Sequence, residues 1–223
     1  MSPEPVTYER RGAAAVVTID RQERRNAVDG PTAELLGAAY ERFEQEDDAR
    51  VMILTGAGGV AFCAGADLKA LDTFGPRLLR DEGPLGFTRR IASKPTIAAI
   101  SGWCLAGGLE LALWCDLRIA DETTAFGCAE RRWGVPLIDG GTQRLPRVVG
   151  TGRALEWAES LSGFPQATML ADRRAAIDGL GLPLDQGLAL EAQAGPETYA
   201  AAQTGAARFA GGEGRSGAGA GIA

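Results

Sequence analysis

Residues 96–120 read TIAAISGWCLAGGLELALWCDLRIA. Thr96–Ile100 is a short apolar run entered through Pro95, the pattern of a buried strand with proline at its edge. Gly107–Cys115 has the length and composition of a helix, and Leu117–Ala120 returns to a strand pattern. Strands alternating with helices make a parallel α/β arrangement, in which active residues sit in the loops that leave strand ends.

The same alternation extends towards the N-terminus. Val6–Tyr8 and Ala13–Ile19 read as two strands around Arg11-Gly12, a hairpin signal. A charged loop, Asp20 to Arg25, leads into Asn26-Ala27-Val28. Pro31 opens a helix with Leu35, Leu36, Ala39 and Phe43 at helical spacing. Val51–Thr55 is a short strand broken by Gly56, Gly58 and Gly59, and Asp67–Leu71 starts a short helix. From Thr151 onward only helices are expected, over 152–161, 165–180, 183–192 and 196–209. Residues 210–223 are mostly Gly and Ala and read as a flexible tail. The resulting division is a core over 1–150, a helical segment over 151–209 and the tail.

Length, charge and residue usage narrow the function. The 223 residues are 45% apolar and 23% charged, enough for one domain with a sizeable core. A net charge of −6 argues against nucleic acid or an anionic membrane as partner. There is no histidine, so an imidazole base, a serine triad and His-ligated metal sites are excluded. No metal site is expected. Cys63, Cys104, Cys115 and Cys128 show no CxxC spacing and lie in apolar runs, which reads as buried free thiols in a reducing compartment. Without a signal-peptide core or a membrane-length apolar stretch, a cytosolic location is expected.

Two glycine-rich turns, Phe62–Leu68 and Leu105–Glu110, each follow an apolar segment and precede a helix. Such turns expose unpaired N–H groups at a helix N-terminus, where the dipole favours negative charge. Facing one point, they would form an oxyanion hole. Alternatively, the glycines only permit close packing of helix on strand. Glu110 is the lone carboxylate of an otherwise apolar, hence buried, helix. A buried carboxylate is costly unless protonated or hydrogen-bonded, so Glu110 either meets an arginine or lines a cavity as an acid or base. Glu130 lies twenty residues further on, beside Arg131 and Arg132. A surface salt bridge is one reading of it. The other pairs it with Glu110 on one water molecule, one acid holding and deprotonating the water while the other delivers a proton.

Together these residues resemble the crotonase, or enoyl-CoA hydratase/isomerase, superfamily. The carriers are Ala64-Gly65-Ala66-Asp67, then Ala106-Gly107-Gly108-Leu109-Glu110, then Glu130, then Gly140-Gly141-Thr142-Gln143-Arg144-Leu145. The resemblance covers about Val6 to Leu155 and returns from Phe164 to Phe209. It implies an α/β fold, a crotonase-like spiral of ββα units with a helical C-terminal segment, assembled as a homotrimer or hexamer. It implies an acyl-CoA thioester substrate, coenzyme A being part of the substrate and not a separate cofactor. The thioester oxygen would lie between the N–H groups of Ala66 and Gly107. Ala66, Asp67, Leu68 and Lys69 would run along the CoA arm, with Asn26 and Ala27 beside the nucleotide and Arg24, Arg25 and Lys69 near phosphate. Glu110 and Glu130 match the acid pair of true hydratases, whereas simple double-bond isomerases typically keep only the second.

Two departures from the family pattern stand out. The run Gly134–Gly140 differs from the family's usual loop over the pocket, and Asp139 adds a third acid where isomerase- and dehalogenase-type relatives carry one. It is either a turn aspartate before Gly140 or an inward-pointing acid that opens proton shuttling or hydrolysis. The C-terminal segment also lacks a block that the family carries after Leu155, so it is expected to be internally shortened and to bury less apolar surface.

Overall fold

The computed structural model describes residues 4–149 and 165–213. The expected helix over 152–161 and the tail beyond 213 lie outside the described residues.

Strands β1 (Val6–Arg11) and β2 (Ala14–Ile19) form the N-terminal hairpin, Val6 opposite Ile19, with Gly12 turning it at φ 62°. Helix α1 (Gly30–Gln45) begins at Asp29, whose carboxylate accepts from Thr32 N–H. Strands β3 (Val51–Gly56), β5 (Thr96–Ile100) and β7 (Leu117–Ala120) continue the sheet in the order β1-β2-β3-β5-β7, all parallel after the first pair. Alternate residues are buried: Ala15, Val17 and Ile19 on β2, Met52 and Leu54 on β3, Ala98 and Ile100 on β5. They share one core with Leu36, Tyr40 and Phe43 of α1.

A second sheet, absent from the sequence reading, contains three strands of three residues each. These are β4 (Ala61–Cys63), β6 (Trp103–Leu105) and β8 (Ala125–Gly127), parallel in that order. Three residues are too few to display alternation, so this part of the chain reads as loop. The chain runs from β3 to β4, from β5 to β6 and from β7 to β8, laying one strand in each sheet before a helical segment follows. These are the ββα turns of a spiral. The closing helical segments are the 3₁₀ stretch Leu68–Arg77, helix α2 (Gly107–Trp114) and the 3₁₀ stretch Ala129–Trp133.

Every residue of α2 is buried. It approaches β4 so closely that a Cβ on Gly108 would lie 2.0 Å from the Cys63 carbonyl oxygen, a contact only glycine allows. Helix α3 (Gly141–Val149), also absent from the sequence reading, packs on α2. Among the described residues three helices follow: α4 (Gln166–Asp178), α5 (Leu184–Ala192) and α6 (Ala194–Ala210). Helix α6 starts two residues before the expected Pro196, which its first turn tolerates because the N–H that proline lacks would have no intrahelical acceptor there. Leu78, Ile138, Ala171 and Ala194 form a small second core that ties these helices to the spiral. Cys63, Cys104 and Cys115 are buried free thiols, while Cys128 is half-buried.

Candidate active site

The two glycine turns meet. Gly65 has φ 91°, and a Cβ on it would lie 2.8 Å from the Gly107 nitrogen. A Cβ on Gly107 would in turn lie 3.6 Å from the Ala66 nitrogen. Ala106, just before α2, takes φ 53° and ψ −126°, a conformation costly for a residue with a side chain. Among the described residues neither the Ala66 N–H nor the Gly107 N–H has an acceptor. Two unpaired donors thus stand side by side at the edge of the short sheet, one of them at the positive end of α2.

They open on a cavity of about 350 Å³. The eight residues singled out from the sequence, Ala27, Ala66, Asp67, Leu68, Lys69, Gly107, Glu110 and Glu130, all line it. Arg24, Arg25 and Lys69 are exposed at its edge, and Leu71, Phe74, Leu78 and Ile138 give it apolar wall. Asn26 is absent from the lining. It is buried at φ 55°, donating to the Ala57 and Ala61 carbonyls and accepting from Arg21 N–H, so it braces the loop that presents Ala27. The Asp67 carboxylate also works locally, accepting from Lys69 N–H at 3.1 Å and pairing with Arg21 at 3.1 Å.

Among the described residues Glu110 forms no ion pair with an arginine, and it is shielded from bulk water. It is 3% exposed, and its Oε1 accepts from Asp139 N–H and Gly141 N–H, each at 2.8 Å. Burial first, then the charges of Asp139 and Glu191, raises its pKa well above the carboxylate range, against the pull of the two N–H groups.

The surface reading of Glu130 does not hold. Glu130 is 4% exposed, turned inward from its 3₁₀ turn while Arg131 and Arg132 stay half-buried. Arg131 Nε lies 3.7 Å from Glu130 Oε1, too far for a hydrogen bond, and neither carboxylate oxygen has a partner among the described residues. Burial pushes its pKa up to about 7, with Arg131 pulling the other way. Such a group both gives and takes a proton at neutral pH.

Asp139 likewise points inward and not into an open turn. It is 4% exposed, lines the cavity and accepts from Leu85 N–H at 3.0 Å and from the Thr88 hydroxyl. Burial raises its pKa. Two further buried acids escaped the sequence reading, Asp172 on α4 and Glu191 on α5. Asp172 Oδ1 accepts from Leu137 N–H at 3.2 Å, and its Oδ2 faces Arg131 Nε at 3.9 Å. Each falls on the buried stripe of its helix, beside Thr168, Ala171 and Ala175 in α4 and beside Gly187 and Leu188 in α5. A carboxylate on an apolar stripe is the signal that marked Glu110. No cluster of His, Cys, Asp and Glu suited to a metal ion occurs among the described residues. No helix among them is long and apolar enough to cross a membrane.

Comparison with known proteins identifies the family. The sequence model of the enoyl-CoA hydratase/isomerase family matches residues 9–163. The chain is 40% identical to the short-chain-enoyl-CoA hydratase of Clostridium acetobutylicum over 67% of its own length and 59% of that protein's. It spans about three fifths of the length of the curated relatives it matches in this way. The (E)-benzylidenesuccinyl-CoA hydratase of Thauera aromatica is 31% identical over 82% of this chain and 86% of that protein. Among solved structures, carnitinyl-CoA hydratase from Mycobacterium avium superimposes with a TM-score of 0.68 at 28% identity, covering 94% of this chain and 97% of the other. The chain belongs to the enoyl-CoA hydratase/isomerase family.

Proposed function

We propose that the protein is a hydro-lyase that adds water across the 2,3 double bond of a 2-enoyl-CoA thioester. The observation that carries this reading is that two unpaired N–H groups and two buried glutamates line one cavity. The thioester oxygen accepts from Ala66 N–H and Gly107 N–H, which stabilise the negative charge that gathers there as C3 is attacked. Each such donor contributes on the order of 3 kcal/mol. Glu110, its Oε1 fixed by two amides, orients the water and takes a proton from it as the oxygen bonds to C3. Glu130 gives a proton to C2, and the water-derived proton later returns to it, so the product gains one water and the protein is unchanged. A pKa of about 7 suits Glu130 to that exchange. Ala27 and Ala66 to Lys69 line the CoA arm, with Arg24, Arg25 and Lys69 available to its phosphates. The reading includes no cofactor apart from the coenzyme A of the substrate, a cytosolic location and a homotrimer or hexamer.

The inward position of Asp139 favours a second reading, an isomerase or hydrolase acting on CoA esters. Product analysis on crotonyl-, 3-enoyl- and aryl-CoA, with Asp139→Ala beside the wild type, separates the two. The direct test follows loss of the enoyl-thioester absorbance of crotonyl-CoA. Glu130→Gln is expected to bind CoA esters as before and to slow hydration by orders of magnitude. A wild type without turnover, or a variant with unchanged turnover, overturns the proposal.

A further inference from the structure

Four consecutive N–H groups, from Asp139 to Thr142, are shared between two glutamates in strict alternation. Asp139 N–H and Gly141 N–H donate to Glu110 Oε1, each at 2.8 Å. Gly140 N–H donates to Glu191 Oε2 at 2.6 Å, and Thr142 N–H to Glu191 Oε1 at 2.8 Å. The Thr142 hydroxyl adds a third donor to Glu191. Glu191 is 0% exposed and absent from the cavity lining, so it touches no substrate. Gly140 takes φ 101°, a left-handed conformation that favours glycine at the centre of this turn.

We propose that Glu191, reaching in from α5, is a positioning residue for Glu110: it clamps the turn whose other two amides aim the Glu110 carboxylate. This inference rests on the hydratase reading above. Geometry explains why a glutamate stands there. A carboxylate offers two acceptor oxygens to three donors, whereas a glutamine would turn its own NH₂ towards an N–H and push the turn aside. The charge matters too. Glu110 faces Asp139 from the turn, Glu191 from α5, Arg144 from α3 and the Cys128 thiol after β8. Glu191 faces Asp139, Glu110, Arg144 and Asp172 of α4, and Asp139 itself faces Arg89. Within that set the Glu191 charge raises the pKa of Glu110, so its removal lets Glu110 ionise at lower pH.

The test is the pH dependence of crotonyl-CoA hydration by the full chain, with thermal midpoints measured in parallel. For Glu191→Gln, kcat is expected to fall on the order of 100-fold, the effect of misplacing a reacting group by about an ångström, while KM stays within about threefold. The acid limb of the kcat profile should move to lower pH. Glu191→Asp, which restores the charge, should return the limb to its wild-type position even where kcat stays low. Thr142→Val removes the hydroxyl donor to Glu191, and with it the acceptor of a 3.1 Å bond from Gln143 Nε2, and should lower kcat about tenfold; it decides the matter if Glu191→Gln does not fold. A wild type that hydrates crotonyl-CoA, beside variants that lose thermal midpoint but keep kcat per folded molecule and the position of the acid limb, overturns this inference alone. A wild type that does not hydrate it overturns the hydratase reading and this inference together.

Discussion

Removing the charge from Glu130 should stabilise the protein at alkaline pH while it removes activity. Neither Glu130 oxygen is hydrogen-bonded, and burial raises the pKa from 4.5 to about 7. The folded protein therefore keeps a proton that the unfolded chain releases between those two values. The stability this supplies is full below about pH 4.5 and is lost as pH rises through 7. At about 1.4 kcal/mol per pH unit, the gap of about 2.5 units comes to about 3 kcal/mol. Glu130→Gln has no proton to lose and forfeits no hydrogen bond, since Arg131 Nε stands 3.7 Å away. At pH 8 the variant is expected to exceed the wild type by about 3 kcal/mol, or about 6–12 °C in thermal midpoint for a chain of this length. At pH 5 the difference should shrink to about a quarter of that.

Thermal melts of both proteins at pH 5 and pH 8, at one ionic strength, provide the assay. Burial also raises the pKa of Glu110, Asp139, Asp172 and Glu191, so the wild type itself should melt lower at pH 8 than at pH 5. That trend is common to both proteins except at Asp172, whose pKa the Glu130 charge helps to raise; its relief in the variant adds to the difference at pH 8 in the same direction. A Glu130→Gln variant that is less stable than wild type at pH 8, or equally displaced at both pH values, would refute the reasoning. It would mean that Glu130 is solvated or paired in solution.

Gly108→Ala places a methyl 2.0 Å from the Cys63 carbonyl oxygen, backbone that cannot rotate away. Helix α2 must shift outward, at a cost of about 1–3 kcal/mol; an unchanged thermal midpoint would count against the close approach of α2 to β4. Asn26→Ala removes three hydrogen bonds at a left-handed position and should cost about 3 kcal/mol. Because Asn26 braces Ala27, KM for a CoA ester should rise more than kcat falls, and a loss confined to kcat would argue against the bracing role.

The long strands and α2 were legible because their patterns are long enough to be seen. Largely apolar runs of five or six residues in β2, β3 and β5 and an almost unbroken apolar run in α2 mark buried elements, while the alternation of burial along the strands emerges only in the structure. The short sheet was not legible, because β4, β6 and β8 are three residues each and sit among glycines. Glu130 misled for a local reason. Arg131 and Arg132 beside it suggest surface, but in a 3₁₀ turn neighbouring side chains diverge by about 120°, so one acid enters the cavity while its neighbours do not.

The acids differ in visibility for one physical reason, the contrast of each with its own helix. Glu110 stands alone in eight buried residues. Glu191 shares α5 with exposed Asp185 and Gln186, and Asp172 precedes exposed Arg173 and Arg174, so both read as members of a polar face. Spacing separates them from that face. Glu191 lies three residues after Leu188 and four after Gly187, and Asp172 lies four after Thr168 and three before Ala175, which sets each on the buried stripe. A carboxylate there needs donors, and the structure supplies them from one stretch of chain: Leu137 N–H for Asp172, Gly140 and Thr142 N–H for Glu191, Asp139 and Gly141 N–H for Glu110. Residues 137–142 thus join the spiral to the C-terminal helices chiefly through backbone donors, with the Thr142 hydroxyl and the Ile138 side chain added. Because most of these donors are main-chain N–H groups, they do not depend on side-chain identity at Leu137, Asp139 or Gly141, and the departure of Gly134–Gly140 from the family pattern is compatible with an intact carboxylate pair.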